Sequence, residues 1–506
     1  MSGRTETVLV ANRGEIAVRV IRACRETGRR AVAVYSEADA DALHVQLADR
    51  SVCIGPPPAA QSYLDVEKII AAARRTGATA VHPGYGFLAE NAAAAQAIED
   101  AGLVWIGPSP ASIAAVGDKL EARRIAQEAG VPLASGSEGA VAPDDVAEVA
   151  SRVGVPLLLK AVGGGGGKGI RLVEDLAELG PALERAMGEA QSAFGAPAVY
   201  LEKCIRPARH IEVQILGDGQ GRAVHLGERE CSLQRRAQKV VEESPSPFAT
   251  PALRERMGAA AVALAEAVSY RGAGTVEFLV DEDGAFYFLE VNARLQVEHP
   301  VTELCTGIDL VRAQLEVAET GRLGLTQADW SPRGHAIQLR VNAEDPFRGF
   351  VPAVGEVRGL RLPGGPFVRV DTFLTEGAQV SPHYDSLVAK LCAWGRTRAE
   401  AVERWAAAAN EASLGALPST LPLAGLLARD SDFRAGAFHT QWLEPWVAAL
   451  PAPELDAETG GLAALAAAVA AWEAGRSPRS AADAPGGNGL RPWVLAHRAR
   501  LLREGR

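Results

Sequence analysis

From Gly274 to Pro300 the chain reads Gly-Thr-Val-Glu-Phe-Leu-Val-Asp-Glu-Asp-Gly-Ala-Phe-Tyr-Phe-Leu-Glu-Val-Asn-Ala-Arg-Leu-Gln-Val-Glu-His-Pro. Two β-rich runs, Thr275 to Val280 and Ala285 to Val291, flank Asp281-Glu282-Asp283-Gly284, the composition of a four-residue hairpin turn. Pairing Val280 with Ala285 sets Glu277 opposite Phe288. Glu290 then lies two residues along the same face, a diagonal neighbour ~7 Å away at the backbone. Asn292 and Arg294 continue that parity, while Val276, Phe278, Val280, Tyr287 and Leu289 point toward a core. Two like charges on one hairpin face repel unless a cation lies between them. Two carboxylates plus an amide oxygen are the hard ligands that Mg²⁺, or Mn²⁺ in its place, accepts, with positions left for water and phosphate. A solvated acidic face is the plainer reading of such a hairpin. The Arg294, Gln296, Glu298 and His299 that follow at once argue against it.

The remaining composition narrows the classes of partner. With 506 residues, 48% of them hydrophobic, the chain can build two to four packed units. Its net charge of −10, without a dense basic run, excludes nucleic acid and anionic membranes as expected partners. No segment approaches the ~20 apolar residues of a membrane span, and Leu462 to Trp472 is too short for one. The N-terminus runs into Thr7-Val-Leu-Val-Ala11 with no apolar export core, and six scattered cysteines form no C-x-x-C pair. Both features suit the cytoplasm. Of 52 basic residues only seven are lysine: Lys68, Lys119, Lys160, Lys168, Lys203, Lys239 and Lys390. A chain so biased to arginine keeps lysine where a compact ammonium serves better than a planar fork, as against a phosphate.

Strand and helix alternate over the first hundred residues. Thr7 to Ala11, Ala31 to Tyr35, Ala78 to His82 and Leu103 to Ile106 read as strands, Ile16 to Thr27 and Val66 to Thr76 as helices. This is a doubly wound α/β pattern without the G-x-G-x-x-G of a dinucleotide site. The loop His82-Pro-Gly-Tyr-Gly-Phe87 follows a strand's carboxyl end, where such folds bind ligands or simply turn. A smaller unit runs from about Val131 to Cys204, centred on Pro156-Leu-Leu-Leu-Lys160, five glycines from Gly163 to Gly167, Lys168, Gly169 and the strand Ile170 to Val173. Five glycines cannot pack a core; they suit a flap whose N–H groups close on phosphates. The spacing is not that of a P-loop. Alternation resumes from Arg209, with strands Ile211 to Leu216, Ala223 to Leu226 and His335 to Asn342, and helical segments from Arg398 to Arg429. Beyond Trp446 the chain becomes rich in Ala, Pro and Gly.

Strand-borne Lys160, a glycine flap, Glu202-Lys203, paired Glu277 and Glu290, and Asn292 together resemble the ATP-grasp superfamily. Longer motifs narrow the likeness: His82-Pro-Gly-Tyr-Gly-Phe-Leu-Ala-Glu-Asn91, Cys231-Ser-Leu-Gln-Arg-Arg-Ala-Gln-Lys-Val-Val-Glu-Glu243, Arg294-Leu-Gln-Val-Glu-His-Pro300 and Arg340-Val-Asn-Ala-Glu-Asp345. From about residue 5 to 445 the chain resembles biotin carboxylase. The resemblance implies an α/β fold with an N-terminal doubly wound (pre-ATP-grasp) domain at 1–115 and an ATP-grasp domain at 116–330, its mobile lid at about 131–204. A C-terminal α+β biotin carboxylase domain at 331–446 and a tail or linker at 447–506 complete it.

It also implies a chemistry: bicarbonate attacks the γ-phosphate of ATP to give carboxyphosphate, whose CO₂ is captured by the ureido anion of biotin. By resemblance, Glu298 is the base, and Lys239, Arg294, Gln296 and Val297 hold bicarbonate. Glu277, Glu290 and Asn292 hold the metal. Lys119, Lys160, Gly166, Gly167, Glu202, Lys203, Cys204, Ile205, His210 and Gln234 join Glu277 and Glu290 around ATP. Arg340 stabilises the biotin oxyanion, with Tyr85, Tyr384 and Asp385 at the biotin end.

Two positions depart from the family pattern: Ala237 stands where many relatives carry histidine, and Ala416-Leu-Pro-Ser-Thr420, read as part of a helical segment, differs from Lys-Thr-Asn. The biotin-bearing Met-Lys-Met of longer relatives has no counterpart, since Met1, Met187 and Met257 adjoin no lysine. The implied partners are a biotin carboxyl carrier protein in trans, a second copy in a homodimer, and a carboxyltransferase subunit. The alternatives are another ATP-grasp carboxylate ligase and a non-catalytic nucleotide-binding regulator.

Overall fold

A computed structural model describes residues 5–163, 169–195 and 197–451. The expected tail beyond Pro451 and the flap residues Gly166, Gly167 and Lys168 lie outside them. The N-terminal alternation becomes a five-stranded parallel sheet in the order Arg50–Gly55, Arg30–Ser36, Thr7–Val10, Ala80–His82, Val104–Trp105. The chain reverses its winding at Thr7–Val10, which has neighbours from both halves; such a switch point opens a crevice at the strands' carboxyl ends. Asn12 leaves that strand and donates to Pro83 O (2.6 Å) and Tyr85 O (2.7 Å), so the His82 to Phe87 loop is fixed at the crevice.

A second sheet of eight strands is antiparallel throughout: Phe286–Asn292, Arg271–Val280, Arg209–Asp218, Ala223–Arg235, Gln238–Ser244, His335–Asn342, Leu387–Gly395 and Val368–Thr372. It crosses the expected division at residue 330, because Gln238–Ser244 hydrogen-bonds to His335–Asn342. Pro251–Ala267 and Arg398–Glu411 pack on one face, and His299–Thr306 and Leu310–Thr320 pack on the other, which also carries the polar residues described below. A third sheet, Ile170–Val173, Leu157–Ala161 and Val199–Lys203, packs with Val146–Val153 and Leu179–Phe194 around its own small core of Leu157, Leu159, Val173 and Leu201.

Three local expectations change. Ala223 to Leu226 extends to Arg235, its polar residues being paired inside the sheet. The helical segments after Arg398 are two, Arg398–Glu411 and Pro422–Leu427, and Ala416 to Thr420 between them is a turn region, not helix. Ala412 is already extended, Gly415 adopts φ +67, and Pro422 opens the second helix at a position where its missing N–H is no loss. The hairpin differs most. Gly284, at φ +77, closes a three-residue loop in which Asp281 N donates to Ala285 O (2.9 Å), and Val280 pairs with Phe286 instead of Ala285. The core side chains of its second strand are therefore Phe286, Phe288 and Val291, not Tyr287 and Leu289.

Candidate active site

The altered register would place Glu290 on the wrong face if pairing ran on unbroken. It does not: Phe278 pairs with Phe288, then Glu277 with Glu290, leaving Leu289 as a bulged extra residue. The bulge sits where Phe288 N donates to Pro132 O (2.7 Å), tying the edge strand to the segment that leads into the small unit. Glu277 and Glu290 thus stand directly opposite each other, not diagonally. Among the described residues Glu290 has no hydrogen-bond or ion-pair partner. Its burial and the neighbouring Glu277 charge push its carboxyl above the usual range.

Glu277 is held in the opposite sense. Its Oε1 accepts from Lys239 Nζ (2.8 Å), Asn292 Nδ2 (2.8 Å) and Gln296 Nε2 (3.1 Å). His210 Nε2 lies 2.8 Å from its Oε2, but out of line for a hydrogen bond. Burial opposes ionisation here, yet the Lys239 and His210 charges outweigh it and keep the carboxyl well below its ordinary range. Asn292 turns its amide oxygen to Arg294 Nη2 (2.9 Å), so it faces away from Glu277. A pair of facing carboxylates with one of them unneutralised is a donor set that fits a hard divalent cation. Glu277 and Glu290 would hold it, and it would offset charge on phosphate oxygens.

Lys239 is the hub. It follows the two-residue turn Arg236-Ala237, where both residues take positive φ (+47 and +62) and force a tight reversal between Ala223–Arg235 and Gln238–Ser244. Its ammonium meets Glu212 (2.5 Å), Glu277 (2.8 Å) and Glu298 (2.8 Å). Burial works against that charge, but three carboxylates hold it well above the usual lysine range. Gln234 pairs with Lys239 across the hairpin. Glu298, just before the helix His299–Thr306, has its second oxygen on Arg340 Nη2 (3.0 Å). Despite full burial, Lys239, Arg340 and Arg229 hold its carboxyl far below the ordinary range. Arg340 also donates to Glu242 (2.5 Å). Arg294 is spread between Glu90 (2.8 Å), Asn292 (2.9 Å) and Gln296 Oε1 (2.9 Å), and Val297 lies between it and Glu298.

The other expected residues are not all free to bind. Lys160 and Arg123 both engage Glu202, which leaves that carboxylate committed to the small unit. Lys203 Nζ donates to Val155 O (2.8 Å), and Cys204 N to Pro156 O (3.0 Å). Ile205 lies on the link to Arg209–Asp218. Lys119 opens the helix Lys119–Glu128; burial lowers its pKa, against the attraction of Glu290. At the other end Tyr85 donates to Glu15, and Tyr384 gives its hydroxyl proton to Pro57 O (2.7 Å), with Arg13 over its ring at 4.0 Å. Asp385 is exposed and accepts from Leu387 N (2.9 Å).

Sequence reasoning missed Glu212, Arg229, Glu242 and Thr420. Arg229 is wholly buried, joined to Glu212 (2.5 Å), Gln214 (2.6 Å), Thr302 (3.0 Å) and Thr275 (3.0 Å), and fixes the carboxylate that in turn fixes Lys239. Glu212 and Gln214 alternate with core-facing Ile211, Val213 and Ile215, and that period of two was the available clue. Thr420, in the departing segment, donates to Arg340 O (2.7 Å) and accepts from Asn342 N (3.0 Å), pinning the strand end that carries Arg340.

Family models match in succession: the biotin carboxylase N-terminal domain over residues 4–113, the ATP-binding domain of the carbamoyl-phosphate synthase L chain over 118–326, and the biotin carboxylase C-terminal domain over 338–445. A biotin carboxylase of Nostoc sp. is 49% identical over 440 residues, 87% of this chain and 98% of that protein. The chain belongs to the biotin carboxylase family. As a biotin carboxylase it is a ligase that uses ATP, Mg²⁺ and bicarbonate to carboxylate biotin. The shared ATP-binding domain does not favour another ATP-grasp ligase, because biotin carboxylase domains flank it on both sides. A pyruvate carboxylase subunit of Methanothermobacter thermautotrophicus is 48% identical over 87% of this chain and 89% of its own. Among solved structures, the biotin carboxylase domain dimer of Hydrogenobacter thermophilus 2-oxoglutarate carboxylase, in complex with MgADP, ADP and bicarbonate, has a TM-score of 0.84. It is 44% identical, with 88% of this chain and 99% of that one covered.

Proposed function

We propose that Glu298 takes the proton of bicarbonate while Lys239 and Arg294 hold the anion. The observation that carries this reading is the clamp on Glu298, one oxygen on Lys239 and the other on Arg340. A base must be proton-free before substrate arrives, and the two cations keep Glu298 so. A bicarbonate bound against Lys239 and Arg294 also loses its proton more readily, because both charges favour the dianion. The freed oxygen attacks the γ-phosphorus, the bond to the ADP oxygen breaks, and carboxyphosphate forms. Lys119 and Lys160 would neutralise phosphate charge, and Glu277 and Glu290 would hold the divalent cation whose charge offsets that of the phosphates. Glu202 to Ile205 border the adenine side and His210 the ribose side, with Gln234 also assigned to ATP. Carboxyphosphate splits to CO₂ and phosphate, phosphate takes the biotin N1 proton, and Arg340 faces the ureido oxygen as its negative charge develops. Tyr85, Tyr384 and Asp385 border the biotin end.

The domain divisions proposed are 1–115, 116–330, 331–446 and 447–506, with the lid at about 131–204. We assign the first half-reaction of a biotin-dependent carboxylase, whose separate carboxyltransferase selects the final acceptor. Its partners are a carboxyltransferase subunit, and a second copy in a homodimer like that of the Hydrogenobacter domain. A cytoplasmic site fits six free cysteines, five of them buried, although related enzymes of Populus trichocarpa and Arabidopsis thaliana are chloroplastic. The direct test is ADP release: it should require bicarbonate and rise when free biotin is added. ADP release indifferent to bicarbonate would refute the assignment.

The biotin is carried by a segment outside these 506 residues. Lys390 is fully buried, and Lys68, the most solvent-exposed lysine with a side chain in an ion pair, sits on the helix Val66–Thr76 and not in a hairpin tip. The purified chain should give no band on a streptavidin blot, yet carboxylate a separate biotinylated carrier faster than free biotin. A biotin mass adduct on any lysine of the chain would overturn this.

A further inference from the structure

Lys390 lies in the strand Leu387–Gly395 with no solvent exposure. Burying an ammonium costs several kcal/mol unless partners replace its water. Its partners come from three separate parts of the chain. Glu15 Oε2, on the first turn of the helix Gly14–Glu26, is 3.0 Å away, and Asp371 Oδ2, on the adjacent strand, is 3.7 Å away. The ammonium also donates to Val297 O at 3.1 Å. Asp371 is already matched by Arg369, which contacts both of its oxygens (2.9 and 2.8 Å) and also Glu303 (2.6 Å). The charge of Lys390 is thus left for Glu15, and its remaining donor for the Val297 carbonyl.

Both contacts lead to a substrate. The Val297 carbonyl belongs to the planar peptide that enters Glu298, so holding that oxygen fixes the plane from which the Glu298 side chain departs. Glu15 accepts the Tyr85 hydroxyl on its other oxygen, at the biotin end. We propose that Lys390 is a positioning residue that holds the bicarbonate base and the biotin-side tyrosine in one frame, touching neither substrate. This rests on the reading of Arg294 to Glu298 as the bicarbonate site. A lysine that served only to neutralise Glu15 would have no use for the Val297 carbonyl.

The test removes the charge pair together. Lys390→Met alone leaves Glu15 buried and unpaired, a change that can unfold the chain. Lys390→Met with Glu15→Gln removes both charges and keeps a side chain that can bond Tyr85. In the full chain the double variant should melt cooperatively and keep its KM for ATP within about twofold. Its KM for bicarbonate should rise about tenfold or more, the equivalent of ~1.4 kcal/mol of lost positioning. A bicarbonate KM equal to that of the parent would show that Lys390 only offsets Glu15, and a double variant with no folded state would show a purely structural strut. Either result overturns the proposal. Lys239→Gln, assayed in parallel, separates the two levels. If it still cleaves ATP in response to bicarbonate, the bicarbonate reading itself is wrong. If it does not, and the double variant keeps its bicarbonate KM, only the role of Lys390 falls.

Discussion

Glu290→Gln should lose turnover by about 10³-fold, some 4 kcal/mol of transition-state stabilisation, while the empty protein becomes more stable. Both effects have one source. Glu290 faces Glu277 across the hairpin, and burial and that neighbouring charge raise its pKa. A carboxyl whose folded pKa lies above its unfolded value opposes folding once it is ionised, and the opposition fades as pH falls below the folded pKa. At neutral pH the wild-type chain carries this repulsion and the amide does not, so the Tm without ligand should rise. The amide has nearly the same volume but a weaker hold on a divalent cation, so the Tm gain that Mg-ATP gives the parent should shrink sharply. Thermal melts with and without Mg-ATP, beside ADP release, check both halves. A variant with near-parental ATP cleavage would refute the role of the pair, and a lower unliganded Tm would refute the repulsion.

Lys239→Gln and Arg340→Ser should separate the two half-reactions. Lys239 faces Glu212, Glu277 and Glu298 together. Its loss should cut bicarbonate-dependent ATP cleavage by about 10³-fold, since it removes the cation that meets the first nucleophile. Three buried carboxylates then lose their shared partner, a change on the order of 3 kcal/mol in stability, so circular dichroism must accompany the assay. Arg340→Ser should cut carboxylation of free biotin by about 10²-fold or more and ATP cleavage by about tenfold at most. It also frees one Glu298 oxygen. The Glu298 pKa is depressed in the parent, so its base form persists to low pH; without Arg340 the pKa moves up toward its ordinary value. The acid limb of the remaining ATP cleavage should therefore shift to higher pH. Equal losses in both assays, or an unmoved acid limb, would show that the two cations do not divide the work.

Most of the chemistry was legible along the chain, because it is carried by residue types close together in sequence. Glu277 and Glu290 share a hairpin, and Arg294, Gln296 and Glu298 follow within eight residues of Glu290. Strands with a period of two and helices with capped ends announce themselves locally, hence the N-terminal alternation and the small unit around Lys160. The way the two glutamates meet was not legible. Counting back from a four-residue turn put them on one face diagonally. The three-residue loop moves the register by one, and the bulge at Leu289 moves it by one more in the same direction, which returns Glu290 to the face of Glu277 directly opposite it. Neither step is encoded by the alternation, since both depend on Gly284 closing the loop and on Phe288 bonding Pro132 from a segment more than a hundred residues earlier. The hub at Lys239 is likewise a tertiary product. Glu212, Arg229 and Arg340 come from three different strands, and their charges matter only because burial removes the water that would screen them. Sequence alone determined which groups can do the chemistry; long-range packing decided which of them share a charge and hence which are protonated.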